Sequence, residues 1–172
     1  MIYKSYEVQK NISSLLKFNF FLLYGENFGI KKEIKESITK KISQEESNLE
    51  TISFYENDLL ENEDNFYSTA YSGSLFGSTK IIIINNCSDK IFSQIESVCE
   101  KRPENLFLVL FSDILDKKSK LRNFFEKNKS TVCIACYLDN FKDLEIAAAR
   151  KLKENNISLS REIINLLVQK SN

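Results

Sequence analysis

A glycine-containing turn between an apolar segment and an amphipathic segment is the first place where this sequence could bind a nucleotide. Residues 24–32 read YGENFGIKK, with Gly25 and Gly29 four positions apart. A phosphate-binding P-loop needs a glycine, four residues, and then Gly-Lys followed by Ser or Thr, whose hydroxyl binds Mg²⁺. Here Lys31 is followed by Lys and Glu, and Glu26 would repel phosphate. We therefore predict a structural strand-to-helix turn that needs small residues, with nucleotide binding at this degenerate loop as the less favoured alternative.

A carboxylate for metal-dependent hydrolysis would be expected at the end of another apolar segment. The segment Leu106–Phe111 is followed by Ser112 and Asp113, and Asp116 lies slightly further along. A hydrolytic site at a strand end would have paired carboxylates near the nucleotide phosphates, and only Asp113 is placed there. Since a single aspartate at a strand end is more typical of a helix cap, we predict that role for Asp113.

Cys133 and Cys136 have the CxxC spacing of redox and zinc-binding pairs, but their predicted surroundings oppose both roles. They fall in a predicted strand, where residues three apart point to opposite faces of the sheet. The sequence contains four cysteines and no histidine, so neither a second CxxC pair nor histidine ligands could complete a zinc site. The lack of histidine also excludes His-based catalytic triads. We therefore expect buried, inert cysteines, no catalytic residue, and no metal or cofactor.

Basic residues concentrate after the fourth predicted strand, in the segment Lys117-Lys118-Ser119-Lys120-Leu121-Arg122. The default interpretation is the solvated start of a helix. Contact with DNA backbone or with an acidic partner chain is the alternative, with Lys117, Lys118, Lys120 and Arg122 as the candidate residues. The whole chain carries 24 basic and 24 acidic residues, and this balance gives no support for strong nonspecific binding to nucleic acid.

Ser74, Leu75 and Phe76 form a short, mainly apolar element between Gly73 and Gly77. Neighbouring residues on a helix point about 100° apart, so one core-facing stripe does not readily bury both Leu75 and Phe76. Glycines on both sides are typical of a turn or a helix end. The residues alone leave two interpretations open: a buried corner between a helix and a strand, or an exposed apolar tip that a partner binds.

The elements that would position these residues alternate between short apolar strands and amphipathic helices. Strands are predicted at Phe20–Tyr24, Thr51–Tyr55, Lys80–Ile84, Leu106–Phe111 and Thr131–Tyr137. Helices are predicted at Ser5–Phe18, Ile30–Ile42, Leu59–Tyr71, Lys90–Lys101 and Ser119–Lys127. This alternation predicts an α/β fold, a three-layer sandwich with a mainly parallel five-stranded sheet.

The C-terminal part of the chain differs in character, because no further strand is predicted after residue 138. Helices at Phe141–Glu154 and Leu159–Lys170 follow. We therefore predict an α/β domain over residues 1–140 and the incomplete start of a helical domain over residues 141–172, since two helices are too few for an independent core.

The composition and the apolar runs bound the cellular setting. Of the 172 residues, 42% are hydrophobic and 28% are charged, which suits one ordinary domain with a sizeable core. The longest apolar runs, near Phe18–Tyr24 and Leu106–Phe111, are too short to span a bilayer, and the N-terminus lacks a signal-peptide pattern. We therefore expect a soluble cytoplasmic protein without a membrane partner.

Several segments, taken in order, resemble the N-terminal part of the delta subunit of bacterial DNA polymerase III, a family of clamp-loader subunits. The matching segments are Phe21-Leu-Leu-Tyr-Gly-Glu26, Ser74-Leu-Phe-Gly77 with Ile81–Ile84, Leu106–Phe111 with Asp116–Leu121, and the cysteine strand with Tyr137-Leu138. Each motif is only moderately specific, whereas their order and spacing together are much more so. The resemblance covers nearly all of the chain.

The resemblance implies an AAA+-like fold of the P-loop NTPase type with a degenerate nucleotide site, in keeping with the broken glycine loop. It implies a non-catalytic subunit that needs no cofactor and belongs to the DNA polymerase III holoenzyme. Such a subunit binds and opens the DNA sliding clamp, a beta-type ring, during DNA replication. The implied partners are this clamp, the other clamp-loader subunits, and DNA within the complex.

The resemblance also assigns a role to the apolar element. In the family, a Leu-Phe pair at the end of a helix in the first domain inserts into a hydrophobic pocket on the clamp. That role carries over to Leu75 and Phe76, with Ser74 beside them. A helical lid and a helical collar follow in the family, and we expect residues 141–172 to be the start of the lid without the collar that provides most of the assembly.

Overall fold

The computed structural model describes residues 2–4, 8, 12–45, 48–72, 79–137 and 141–171. The chain divides into two compact units, Met1–Tyr137 and Leu138–Asn172. No helix in the described part of the chain is long and apolar enough to cross a membrane. The assignment of residues 1–140 and 141–172 to an α/β domain and an incomplete lid domain stays a prediction.

The first unit is built on one sheet in which all neighbouring strands run parallel. Its strands are β1 (Ile2–Lys4), β2 (Phe20–Tyr24), β3 (Leu49–Tyr55), β4 (Thr79–Asn85), β5 (Leu106–Ser112) and β6 (Thr131–Ala135). Their order across the sheet is β1-β6-β2-β5-β4-β3. The α/β fold with a mainly parallel sheet is therefore confirmed, and β1 adds an edge strand to the five expected.

Helices and one 3-10 turn connect these strands. The helices are α1 (Ile12–Leu15), α2 (Phe28–Glu45), α3 (Glu56–Glu61), α4 (Glu63–Tyr71), α5 (Phe92–Lys101) and α6 (Lys120–Lys127), and the 3-10 turn is Asp89–Ile91. The single helix expected over Leu59–Tyr71 is wrong, because Asn62 interrupts it with non-helical backbone at φ −142° and ψ 74°. The side chain of Asn62 then accepts a hydrogen bond from the N–H of Asn65 at 3.0 Å and caps α4.

Two hydrophobic layers cover the two faces of the sheet. In β2, Phe21 and Leu23 face one layer, whereas Leu22 and Tyr24 face the other. The first layer contains Ile34, Ile38 and Ile42 of α2, and the second contains residues of α3, α4, α5 and α6. Burial of each of these isoleucines contributes about 1.5–3 kcal/mol to the stability of the fold. Because they recur every four residues, they lie on one face of α2 and hold that face against the sheet.

The helix expected over Ser5–Phe18 is present in part. The described residues of this range are helical at Val8 and in α1, whereas residues 16–18 are not helical. The strand β1 precedes this range and was not predicted. Three residues are too few to show a period of two, which is why no strand is predicted at β1 from the sequence.

The second unit contains two helices, α7 (Phe141–Glu154) and α8 (Arg161–Ser171). Arg161 donates a hydrogen bond from Nε to Glu145 at 2.8 Å and so joins the two helices. Ile164 and Val168 are buried. Exposed large apolar side chains also occur in this unit, namely those of Ile146, Ile157, Ile163, Leu166 and Leu167.

Candidate functional site

The carboxyl ends of three strands meet at the glycine-containing turn. Tyr24, the last residue of β2, is paired with Ser112 of β5 and with Ala135 of β6. This register places the turn after β2 between the residues that follow β5 and β6. Ligands of open α/β sheets bind at such a carboxyl edge, so this is where a nucleotide site would lie.

At this edge, the backbone of Gly25 contacts the residues that follow β5 and β6. Its N–H donates to the carbonyl oxygen of Asp113 at 3.1 Å, and its φ of 123° lies in a region that side chains disfavour. A Cβ at this position would overlap the carbonyl oxygen of Cys136 and lie 2.6 Å from the carbonyl carbon. The turn therefore needs glycine because two backbone segments approach each other closely.

Two further N–H groups of this turn also donate within the chain. The N–H of Asn27 donates to the carbonyl oxygen of Cys136 at 3.0 Å, and that of Phe28 donates to Glu26 at 3.0 Å. The side chain of Asn27 accepts from the N–H of Ile30 at 3.1 Å and caps the start of α2. A working P-loop holds phosphate with such N–H groups, whereas here protein carbonyl and amide oxygens take them.

Gly29 is not required to be small, which corrects the expectation that the turn needs small residues at both positions. It lies in the first turn of α2, and a Cβ there would make only an ordinary contact of 3.5 Å with Asn27 Oδ1. The close approach that demands glycine occurs only at Gly25.

Lys31 turns into the protein at the same edge. Its side chain is 3% exposed, and its Nζ donates to the carbonyl oxygen of Ser112 at 2.8 Å. A carboxylate oxygen of Asp113 lies 3.7 Å away, but the Asp113 side chain is 94% exposed and water screens this pair. The lysine that would contact phosphates in a P-loop therefore stabilises the end of β5.

Below this edge, Tyr24 and Tyr137 form an aromatic pair that Arg122 covers. Their ring centroids lie 5.9 Å apart in an edge-to-face arrangement, and the Arg122 guanidinium carbon lies 4.9 Å from the Tyr24 ring centre. Burial, and then the hydrogen bond to Tyr137, raises the pKa of Tyr24 above its ordinary value. Arg122 also donates to Glu126 at 2.7 Å and to the carbonyl of Leu115 at 2.9 Å.

The basic segment therefore separates into two kinds of residue. Arg122 is half-buried and fully engaged inside the unit, whereas the side chains of Lys117, Lys118 and Lys120 are exposed. Of the four residues predicted to contact a partner chain or DNA, only these three lysines have exposed side chains. That role stays a prediction.

The expectation that Asp113 caps a helix is wrong, because the loop after β5 continues to Ser119 before α6 begins. Ser119 Oγ accepts from the N–H of Arg122 at 3.1 Å and donates to Asp89 at 2.6 Å. Asp89 in turn accepts from the N–H groups of Lys120 and Leu121, both at 2.9 Å. The cap of α6 is thus a Ser119–Asp89 pair.

The pKa of Asp89 reflects this arrangement. Burial acts to raise the pKa, but the hydrogen bonds from Ser119, Leu121 and Lys120 outweigh it and lower the pKa below its ordinary value. Sequence analysis missed Asp89 because it lies thirty positions before Ser119 and no local pattern links the two.

Cys133 and Cys136 are buried on opposite faces of the sheet, as predicted. Cys133 packs in the layer that holds Leu22, and Cys136 packs in the layer that holds Phe21. Burial raises the pKa of the Cys133 thiol to about 12. The reactive thiolate is therefore scarce at neutral pH.

Ser74, Leu75 and Phe76 lie outside the described residues, so neither the buried-corner nor the exposed-tip interpretation is tested, and their role in clamp binding stays a prediction. The residues on either side are described: α4 ends at Tyr71 and β4 begins at Thr79. The helix end and the buried strand that were expected to flank this element are both present.

Lys80, in β4, was predicted from the sequence only as a residue of this strand. Its side chain is only 9% exposed, and its Nζ donates to the carbonyl and hydroxyl oxygens of Ser72, both at 2.7 Å. It also donates to the carbonyl of Thr69 at 3.3 Å. In the sequence, the feature that could have pointed to Lys80 was a lysine directly before the four isoleucines of β4.

Comparison with known proteins identifies the family. The family model described as DNA polymerase III, delta subunit, matches residues 21–137. A relative from Rickettsia prowazekii described as a probable DNA polymerase III subunit delta is 24% identical over 153 residues, which are 88% of this chain and 44% of the relative.

Solved structures agree in fold. The DNA clamp loader delta protein of Bacillus subtilis matches with a TM-score of 0.65 at 18% identity, over 95% of this chain and 51% of that one. Domain III of the Thermotoga maritima replication initiation protein DnaA matches with a TM-score of 0.54 at 16% identity, over 95% of this chain and 72% of that one. The expected AAA+-like fold is confirmed. This chain spans about half the length of the B. subtilis protein.

Because the family match extends from β2 to the residues after β6 and covers most of the chain, the chain belongs to the family of DNA polymerase III delta subunits.

Proposed function

We propose that this chain is the clamp-contacting part of a clamp-loader delta subunit, which binds the sliding clamp through Leu75 and Phe76. The observation that carries the proposal is that the range matched by the family model, residues 21–137, includes the junction between α4 and β4, where these residues lie. The B. subtilis protein of similar fold is a DNA clamp loader delta protein.

Opening of the clamp would follow from a difference in affinity. A ring that this chain binds more tightly when open than when closed is shifted to the open state by that difference alone. ATP would be bound by other loader subunits in the cytoplasmic complex, and this chain would be non-catalytic. The engaged N–H groups after β2 and the inward-turned Lys31 support a non-catalytic role.

The exposed lysines provide a second contact within the same proposal. Lys117, Lys118 and Lys120 would contact DNA or a neighbouring loader subunit once the complex is assembled. Neutralisation of phosphates by lysine makes binding salt-dependent, so loss of these charges would flatten the salt dependence of DNA binding by the assembled loader.

The double substitution Leu75→Ala with Phe76→Ala tests the proposal. If each buried side chain contributes about 1.5–3 kcal/mol, the pair accounts for roughly two to four decades of affinity before ordering costs. Affinity for the immobilised sliding clamp of the same organism, measured by surface plasmon resonance, should fall at least about 100-fold. Phe28→Ala is a matched control, because Phe28 is 67% exposed at the start of α2 and should leave affinity unchanged. Unchanged affinity of the double variant would refute the proposal.

The nucleotide-hydrolase alternative has its own test. Titration calorimetry of the full chain with ATP and Mg²⁺ should give no binding heat, because three N–H groups of the turn donate to protein carbonyl oxygens and Lys31 turns inward. Micromolar binding that disappears in Lys31→Met would revive the alternative.

A further inference from the structure

Lys80 places a buried positive charge at the carboxyl end of α4. The last carbonyl groups of a helix have no partner within the helix, and the helix dipole favours a cation there. Lys80 Nζ supplies a donor to the carbonyl oxygens of Thr69 and Ser72. The contact therefore stabilises the point at which the chain leaves α4.

The position of Lys80 on β4 makes this contact unusual. Ile82 and Ile84, on the same face of the strand, pack into the hydrophobic layer, whereas Lys80 occupies the equivalent position nearer the start of β4. An ammonium group buried there is costly unless it is hydrogen-bonded. A leucine or isoleucine would fill the layer at lower cost, but it could not bind the end of α4.

Lys80 also joins the two ends of one chain segment. Ser72 immediately precedes residues 73–78, and Lys80 lies two positions after the last of them. The N–H of Thr79 donates to the carbonyl of Asn48 at 3.0 Å, and that of Lys80 donates to the carbonyl of Asn105 at 2.8 Å. The β4 end is thus fixed to the sheet, and the Lys80 side chain fixes the α4 end to β4.

We propose that Lys80 is a positioning residue for clamp binding. By hydrogen-bonding Ser72 and Thr69 it holds the ends of residues 73–78 at a set separation, whatever conformation those residues take. Fixed ends leave fewer conformations to a short segment, so less entropy is lost when Leu75 and Phe76 are ordered against the clamp. This inference rests on the proposed function of Leu75 and Phe76.

The substitution Lys80→Met tests the inference against a matched control, Lys31→Met. Both lysines are buried, and both donate to backbone carbonyl oxygens, at 2.7 and 2.8 Å. Both variants should therefore lower the melting temperature. Well below both melting transitions, Lys80→Met should weaken clamp binding about 10-fold, the scale of one additional ordering cost, and Lys31→Met should leave it unchanged.

Amide hydrogen exchange separates positioning from general stability. Lys80→Met should speed exchange in residues 72–78 of the full chain under conditions where Lys31→Met does not. Equal loss of affinity in the two lysine variants, or no loss in either, would overturn the inference. If Lys80→Met does not fold, Ser72→Ala probes the same contact, because Ser72 is exposed and its hydroxyl accepts from Lys80. Ser72→Ala should weaken clamp binding about 3-fold, a fraction of the Lys80 effect, and unchanged affinity would again overturn the inference.

The two proposals fail in different ways. If Leu75→Ala with Phe76→Ala binds the clamp as the unmodified chain does, the proposed function fails and the role of Lys80 fails with it. If the double variant loses binding but Lys80→Met retains it, the proposed function stands and only the positioning role is refuted.

Discussion

Two regions of the α/β unit each contain a buried lysine that donates to backbone carbonyls, yet the regions differ in what the lysine secures. At the carboxyl edge, Lys31 binds the end of β5 beside a turn in which three N–H groups donate to protein carbonyl oxygens. At the opposite edge, Lys80 binds the end of α4 beside the segment that carries Leu75 and Phe76.

The two regions differ in the groups that they leave for a ligand. At the usual ligand edge, Gly25 and the chain after β6 approach so closely that even a Cβ at Gly25 would overlap the backbone of Cys136. The α4–β4 junction instead has both of its described ends fixed, at Ser72 and at Thr79. Under the proposed function, the clamp is bound at this junction and not at the carboxyl edge.

The close approach at Gly25 can be broken by a single methyl group. Gly25→Ala introduces a Cβ that overlaps the backbone at Cys136 and forces alanine to adopt a φ of 123°. Backbone strain and overpacking together should destabilise the unit by about 2–5 kcal/mol, measured by urea unfolding.

Gly29→Ala is the control for that experiment. Its Cβ would meet only Asn27 Oδ1 at an ordinary distance, so it should leave stability unchanged or raise it by about 0.4–1 kcal/mol. If Gly25→Ala and Gly29→Ala are equally stable, the turn is not closed by the contact with Cys136.

The second largest loss of stability is expected at Lys31. Lys31→Met leaves the carbonyl of Ser112 without its donor in a buried setting, so the free energy of unfolding should fall by about 1–3 kcal/mol. Clamp affinity of the folded variant, measured by surface plasmon resonance, should not change. A loss of affinity would show that the carboxyl edge contributes to clamp binding and that the two regions are not functionally separate.

Much of the fold was predictable because it rests on local patterns. Continuous apolar runs such as Phe20–Tyr24 correspond to strands buried on both faces. Isoleucines that recur every four residues correspond to the buried face of α2. Asn62 shows the limit of this approach, because the apolar spacing continues through the break between α3 and α4.

The properties of the candidate site could be predicted from the sequence only where the type of a single residue determined them. The missing Ser or Thr after Lys31 indicated a degenerate loop, but the difference between Gly25 and Gly29 depends on Cys136, more than one hundred residues away. The contacts of Asp89 with Ser119 and of Lys80 with Ser72 join separate elements. Such tertiary contacts leave no periodic pattern in the sequence.

The cap of α6 provides the smallest test, since Asp89 follows the carboxyl end of β4, whereas Leu75 and Phe76 precede the start of that strand. Asp89→Asn removes a carboxylate that accepts from two backbone N–H groups, and should cost about 0.5–2 kcal/mol at neutral pH. Clamp affinity should again be unchanged.

The pH dependence of that cost has a defined sign. Because the pKa of Asp89 is lowered in the folded chain, its stabilising contribution is present above the unfolded value of about 3.9 and is lost as pH falls through the folded pKa. Urea unfolding of the unmodified chain and of Asp89→Asn should therefore differ most near pH 6 and converge towards pH 3. A difference that stays constant over this range would show that the ionised carboxylate does not hold the start of α6, and that Ser119 alone caps the helix beside the carboxyl edge.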